Sequence, residues 1–378
     1  MPEELLTNNI QHAREKKKCS AAYLYVLFNE LDVAVNSGEG YSNYLNADGF
    51  PTGALLAWSE SYLLQAYANM YRATDKTKYL DKLNNHIKSV ISNRDDRIGQ
   101  KDYRGKLIPA WGTDKYTKNK EWTHYVVHTG MIAYPILDFV QLVKKTNASK
   151  YLNDANVFLK AVEESVNYHN KNWKTNHYVY AESLYKKDHI LAVNRQAAMG
   201  RCLILLYKTT GKQEYLKKAT LLAEFIKDKS IQIDGSGGYV LTDTFSPIEN
   251  VPTGRIADIS HASLIIHFAY LAYKNDIVFE KTDMQKFAKT IKKLAVDNNN
   301  RFPLYLDGTG NFNYEIAAGQ YAFLAEYDKD IADSIADLFF KKLRIDLTAK
   351  YMQEDWWGQL MLGLSRLALY QNIFNEIK

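Results

Sequence analysis

Three stretches of the chain repeat one arrangement: MYRATDKTKYLDKL, VKKTNASKYLNDA and LYKTTGKQEYLKKA. Thr74, Thr146 and Thr210 each stand five residues before a Tyr-Leu pair, at Tyr79, Tyr151 and Tyr215, and the units lie 72 and 64 residues apart. A repeat of this length constrains architecture before any single residue does, because each unit must bury its apolar face on its neighbours. Every junction reads as the end of one helix, a short polar turn and the start of another.

The two helices of each unit differ in composition. LLAWSESYLLQAYANMY, AAMGRCLILLY and HASLIIHFAYLAY are apolar or small on all sides. Their partners, such as YLDKLNNHIKSVI and YLKKATLLAEFIKD, carry one apolar stripe and a charged opposite face. Buried first helices and half-exposed second helices imply two concentric layers. A fourth pair runs through DMQKFAKTIKKLA, with weaker pairs around YEIAAGQYAFLAEY and DWWGQLMLGLSRLALY. About six hairpins predict an all-α (α/α) toroid formed by residues 1–378 as one domain, with residues 1–50 a helical segment packed on it. An open solenoid would favour short connections. Here those at 95–121, 172–193, 231–256 and 299–313 are long and aromatic-rich, and long loops in compact folds are usually functional.

In such a ring the inner helices run the same way, so their N-termini and the long loops share one mouth. Trp58 and Glu60 stand at the first inner helix, His124 and His128 at the second, and Asn194, Arg195 and Gln196 at the third. Arg255, Asp258 and His261 mark the fourth, Tyr314, Glu315 and Gln320 the fifth, and Asp355, Trp356, Trp357 and Gln359 the sixth. Asn194, Asp258 and Asp355 are residue types that cap helices, and capping is an alternative to a site role for them. It does not explain Arg195, Arg255, His128 or His261. Arginine at a helix N-terminus opposes the macrodipole, so a neighbouring carboxylate or an acidic substrate group is expected beside it.

His124 and His128 are four residues apart, but the order His-Tyr-Val-Val-His lacks the glutamate of a zinc-protease helix, and no third ligand is marked by spacing. They read as structural histidines or as groups lining a pocket. NHYVYAESL places Tyr178, Tyr180 and Glu182 on one side if extended. GSGGY is a turn without the Gly-Lys-Ser/Thr ending of a phosphate loop. The chain contains 28 Tyr and 6 Trp, and Trp111, Trp122, Trp173, Trp356 and Trp357 fall in or beside mouth loops. Flat rings with polar tips suit sugar stacking as well as packing.

A net charge of +5 without a concentrated basic stripe argues against nucleic acid as a partner. Cys19 and Cys202 match no metal or disulfide pattern. No run reads as a membrane span and the N-terminus is too polar for a signal peptide, so the chain as written is expected to be cytoplasmic, or periplasmic or secreted if a leader has been removed. Its oligomeric state is left open.

The segments GALLAWSESYLLQAYANMYRATDKTKYLDKL, ISNRDD, PAW, HYVVHTGMIAYP, NRQAAMGRCLILLYKTTG and DISHASLIIHFAYLAY span roughly residues 50–300. Together they resemble bacterial α/α-toroid proteins grouped with polysaccharide lyases and related uronate-acting enzymes. The Asn-Asn-x-x-x-His and Asn-Asn-His-Ser-Tyr-Trp signatures of some helical lyases are absent. The resemblance implies β-elimination on a uronic-acid glycan, with an acidic poly- or oligosaccharide as partner. That chemistry needs the carboxylate neutralised, the C5 proton removed and the departing oxygen protonated. Asn194 and Arg195 would meet the carboxylate. His128 or His261 would be the base, and Tyr178 or Tyr180 the acid. Trp122, Trp356 and Trp357 would be sugar platforms, with His124, Arg255 and Glu60 completing the substrate site; no metal or organic cofactor is required.

Three rivals follow from the same residues. A glycoside hydrolase needs two carboxylates, for which Glu60, Glu182, Asp258, Glu315 and Asp355 are available. A uronate epimerase shares the proton abstraction without cleavage. A glycan-binding protein needs only the aromatic platforms.

Overall fold

The computed structural model describes residues 21–41, 51–175, 179–181, 189–245 and 253–376, the side chains at 21, 351, 354–355 and 371–376 excepted. Helix α1 (Ala21–Ala34) is followed by five hairpins and a final helix. The pairs are α2 (Ser61–Thr74) with α3 (Lys78–Ser92), α4 (Val126–Thr146) with α5 (Leu152–Tyr168), α6 (Val193–Thr210) with α7 (Gln213–Phe225), and α8 (Ile259–Tyr273) with α9 (Lys281–Asp297). The fifth pairs a 3-10 segment, Glu315–Glu326, with α10 (Asp330–Asp337), and α11 (Glu354–Glu376) ends the chain. A π-helical turn, Leu56–Glu60, leads into α2.

Neighbouring inner segments pack on one another in chain order, and α11 packs against both Glu315–Glu326 and α2, which closes the ring. Outer helices α3, α5, α7 and α10 cover the inner partners that precede them, and α1 covers α11. The all-α toroid expected from the repeat is the observed fold. Its first helix is an outer one, so the ring is completed by joining the two ends of the chain.

The repeat residues act at the outer seams. The hydroxyls of Thr74, Thr146 and Thr210 donate to the carbonyls of Met70, Leu142 and Leu206 at 2.6, 2.9 and 2.7 Å. Asp75, Asn147 and Gly211 then take left-handed φ of 52, 50 and 72° and end their helices. Asp, Asn and Gly are the residues for which that conformation is least unfavourable. Each repeat tyrosine then reaches back to the preceding outer helix. Tyr79 donates to Asn29 at 3.0 Å, Tyr151 to Asp81 at 3.0 Å and Tyr215 to Glu163 at 2.7 Å. A nearby lysine (Lys78, Lys150 or Lys212) shares each acceptor.

The inner ring is tight enough to exclude side chains. A Cβ on Gly130 of α4 would lie 2.7 Å from the backbone of Ala198 in α6. A Cβ on Gly319 would lie 2.7 Å from Gly363 of α11. Helix α4 has the length and apolarity of a membrane span, contrary to the reading of the sequence, yet most of it is buried within the ring. Such a helix is apolar because neighbours surround it. Two short hairpins enter from the loops: β1 (Trp173–Lys174) with β2 (Val179–Tyr180), and β3 (Ile231–Ile233) with β4 (Tyr239–Leu241). The GSGGY stretch is the turn of the second, held by Asp234, whose carboxylate accepts from the N–H of Ser236 and of Gly238 at 2.9 and 2.8 Å.

Candidate active site

At the N-terminal mouth the inner ring leaves a cavity of about 440 Å³. Its size suits a mono- or disaccharide unit. Six aromatic residues line it: Trp58, Tyr62, Tyr116, Tyr125, Tyr314 and Trp356. Its polar residues are His128, Asn194, Arg195, Ser260, His261, Gln353 and Gln359. No carboxylate lines it among the described residues.

Helix α8 begins at Asp258, whose side chain caps the helix by accepting from the N–H of Ser260 and His261 at 3.0 and 2.9 Å. The same carboxylate lies 3.0 Å from His261 Nδ1, and Asp243, from the loop after β4, lies 3.1 Å from that nitrogen. Asp243 also accepts from the N–H of Asn194 at 3.3 Å, so one carboxylate ties the starts of α6 and α8 together. Burial alone would lower the pKa of His261. The hydrogen bonds and charges of Asp243 and Asp258 outweigh it and raise the pKa to about 9. At neutral pH His261 is therefore an imidazolium with Nδ1 engaged.

His128 has the opposite surroundings. It is 1% exposed, with Trp58, Tyr125 and Tyr116 around its ring at 5.8, 5.2 and 5.7 Å. Burial first, then the charges of Arg195 and Lys115, pull its pKa down to about 3, so it stays neutral. Its Nδ1 and the side-chain oxygen of Asn194 are buried without a protein hydrogen-bond partner. Both belong to residues that line the cavity, and buried polar atoms of this kind are ordinarily satisfied by water or ligand.

Behind the cavity Ser263 donates to Gln320 at 2.9 Å and Gln320 to Gln359 at 3.0 Å, linking three inner segments. That chain accounts for Gln320 and aims Gln359. At the rim Trp356 lies against Tyr314, ring centres 5.0 Å apart.

Of the residues expected from sequence to form the site, His128, His261, Asn194, Arg195 and Trp356 meet on this cavity. The others in described regions stand elsewhere. His124 is locked to Asp95 at 2.7 Å, and the Trp122 indole donates to the same carboxylate. Both organise the loop below the mouth. Glu60 points outward from its π-helical turn to His86 at 2.7 Å and accepts from the Tyr41 N–H at 2.7 Å. Trp357 is 1% exposed and packs edge-on against Tyr41, one residue and about 100° of helix away from the cavity-lining Trp356. Tyr180 is fully buried against Trp173, so it has no route to a departing sugar oxygen. Arg255 is exposed on the loop before α8 and does not line the cavity. Tyr178 and Glu182 lie outside the described residues, as does the side chain of Asp355.

The sequence reading missed Tyr62, Tyr116, Tyr125, Ser260 and Gln353, which line the cavity, and the role of Asp243. Tyr125 and Ser260 sit beside residues it did single out. Tyr116 and Asp243 lie in irregular loops, where no periodicity marks them.

No protein-family model matches the chain, and no curated protein matches it in sequence. Solved structures do match. The GH76 α-mannanase of Bacteroides thetaiotaomicron is 14% identical with a TM-score of 0.61, covering 96% of this chain and 99% of that one. The GH76A α-1,6-mannanase of Salegentibacter sp. HEL1_6 is 13% identical with a TM-score of 0.59, covering 92% and 99%. Inactive variants of that mannanase, solved with mannose oligosaccharides, replace two consecutive aspartates. A cellobiose 2-epimerase from Spirochaeta thermophila is 10% identical with a TM-score of 0.55, covering 94% and 98%, and a D-mannose isomerase is 12% identical with a TM-score of 0.54, covering 93% and 98%. At these identities the likeness establishes one thing: the chain has the complete α/α toroid found in those enzymes.

Proposed function

We propose that this chain is a sugar-transforming enzyme that moves a proton on the carbon beside a sugar carbonyl, an isomerase or epimerase. The observation that carries this reading is a pair of histidines on a sugar-sized, aromatic cavity that no described carboxylate reaches. Environments that push two titratable groups apart assign acid and base. His261, charged and held by two aspartates, is the acid that protonates the carbonyl oxygen. His128, neutral, accepts the proton from the adjacent carbon, giving a neutral enediol and one imidazolium in place of another. When His128 returns the proton to the neighbouring carbon and the other enediol hydroxyl gives its proton to His261, an isomerisation is complete. When the enediol first turns its opposite face to His128, the proton returns to the same carbon with inversion and the protonated carbonyl oxygen gives its proton back to His261. Arg195, which weakens His128 as a base in the unliganded site, stabilises the negative charge that develops on oxygen as the C–H bond breaks.

The structural relatives include enzymes of both kinds, mannanases as well as an isomerase and epimerases. Carboxylates separate them. The one Asp-Asp pair in this sequence is Asp95–Asp96. Asp95 serves Trp122 and His124, and Asp96 serves Arg94, so neither is offered to the cavity. Glu315 is clamped by Arg301 through two 2.7 Å contacts, and Glu60 by His86. Elimination from a uronate would use the same first proton transfer, but Tyr180 is not placed to protonate the leaving oxygen.

The test is proton NMR of mannose, glucose, fructose and cellobiose incubated with the protein in deuterated water. Deuterium gained at the carbon beside the carbonyl, without loss of any glycosidic bond, is the expected result. No exchange in any sugar, with α-mannan shortened instead, would establish hydrolysis. Unsaturated ends formed on polyuronates would restore elimination.

A further inference from the structure

Below the cavity the axis of the ring changes character. Arg201 of α6 and Arg366 of α11 are 1% and 5% exposed. Neither has a carboxylate partner among the described residues. Arg201 turns its terminal nitrogens to weak acceptors, one 3.3 Å from His267 Nδ1 and the other 3.1 Å from the Met131 sulfur. Its Nε has no protein partner, and the guanidinium lies 4.4 Å from the Tyr134 ring centre. Arg366 donates to the Gln320 carbonyl and lies 5.2 Å from the Phe323 ring centre. His267 sits between the two sets of contacts, 5.4 Å from Tyr134 and 5.3 Å from Phe323.

The acids around this layer are already taken. Asp138 is bound by both terminal nitrogens of Arg72 at 2.6 and 2.9 Å. Glu326 accepts from Tyr270 at 2.7 Å and from Lys274 at 3.0 Å. Two guanidinium groups thus stand in the interior without counter-charge, among the most unfavourable arrangements a protein core can hold. Losing a proton offers no escape. Arg366, pulled down by burial and then by Arg201, still titrates only at about 10. His267 is held well below its ordinary value by burial and by the arginines, so it adds no positive charge.

We propose that a small monovalent anion, a halide such as chloride, is held between Arg201 and Arg366 in the floor of the ring. A weakly hydrated halide suits this layer better than phosphate or sulfate, because the remaining neighbours are a thioether and aromatic rings rather than the several further donors an oxyanion needs. The ion links α6 to α11 on opposite arcs of the ring, beneath the cavity and outside the proton-transfer residues.

Thermal unfolding of the full chain in chloride, against gluconate at equal ionic strength, reads this directly. A saturable rise in Tm of about 3 °C with chloride is expected, as for any ligand that binds only the folded state. In crystals soaked in bromide, an anomalous peak should stand between the two guanidinium groups. Arg366→Met should abolish the chloride dependence of Tm. Indifference of the wild-type Tm to chloride, or wild-type bromide crystals without the peak, overturns the proposal even if the variant does not fold. A chloride dependence that survives in Arg366→Met overturns it as well.

Discussion

The outer seams and the mouth of this ring are built from the same helices on different terms. At the seams three successive units repeat one contact: a threonine closing its helix, a left-handed residue, and a tyrosine reaching to the previous outer helix. At the mouth no such contact recurs from helix to helix, and even the two histidines differ in surroundings, His261 between two aspartates and His128 beside Arg195 and Lys115. A repeated contact solves a repeated problem, the docking of one hairpin on the next. A site that must distinguish two ends of a substrate has no use for symmetry.

The strongest way to break the comparison is to remove the asymmetric pair. His261→Ala and His128→Ala should each lower turnover about 10²–10⁴-fold, the usual contribution of a positioned acid or base, with Tm shifted by only a few degrees. Full activity in both variants would reduce the mouth to another packed end of the ring.

Next in size is a pH effect on the fold. His128 and His169 are both buried, with burial as the main cause of pKa values of about 3. The unfolded chain takes up these protons below about pH 6.5 while the folded chain cannot, so stability falls as pH drops from 6.5 toward 3, by on the order of 5–10 kcal/mol in total. His261 works in the other direction: its contribution is complete below pH 6.5 and disappears as pH rises through 9. Melting temperature against pH should show both slopes, and His128→Gln should flatten the acidic one.

Gly130→Ala tests the inner ring itself. The added Cβ would meet the backbone of Ala198, and a loss of about 1–3 kcal/mol in denaturant unfolding is expected. Asp243→Asn addresses the electrostatics with little change of shape. It should lower the pKa of His261 and move the basic limb of the pH–activity profile to lower pH; an unmoved limb would mean that another group sets it. The smallest effects belong to the seams. Tyr151→Phe and Tyr215→Phe should each cost about 0.5–1.5 kcal/mol, similarly to one another and without effect on turnover. Unequal losses would show that the seams are less alike than their geometry.

The ring was legible because its cause is local and repeated. Helix periodicity, threonine-to-tyrosine spacing and the contrast between all-apolar and striped helices each report on a few neighbouring residues, and six weak signals reinforce one another. The mouth was legible in part for the same reason: residues at inner-helix starts are brought together by any ring, which is why His128, Asn194, Arg195, His261 and Trp356 meet. Which way each points was not. Glu60 and Trp357 lie one or two positions from the cavity-lining Trp58 and Trp356, and a helix turns by about 100° per residue, so an adjacent side chain faces the core or another layer. Tyr180 lies in a two-residue strand, Val179–Tyr180, both of whose residues the fold buries.

By itself, then, the sequence determined a closed two-layer helical ring with a polar, aromatic mouth, because those properties follow from patterns within each helix and its repeat. Only the tertiary structure decided that Asp95 ties up His124 and Trp122, that Asp243 and Asp258 charge His261 while burial keeps His128 neutral, and that two arginines share the floor. Those outcomes depend on which groups from distant segments come within about 3–4 Å, the range over which hydrogen bonds and charges set protonation, and spacing along the chain carries no record of that distance.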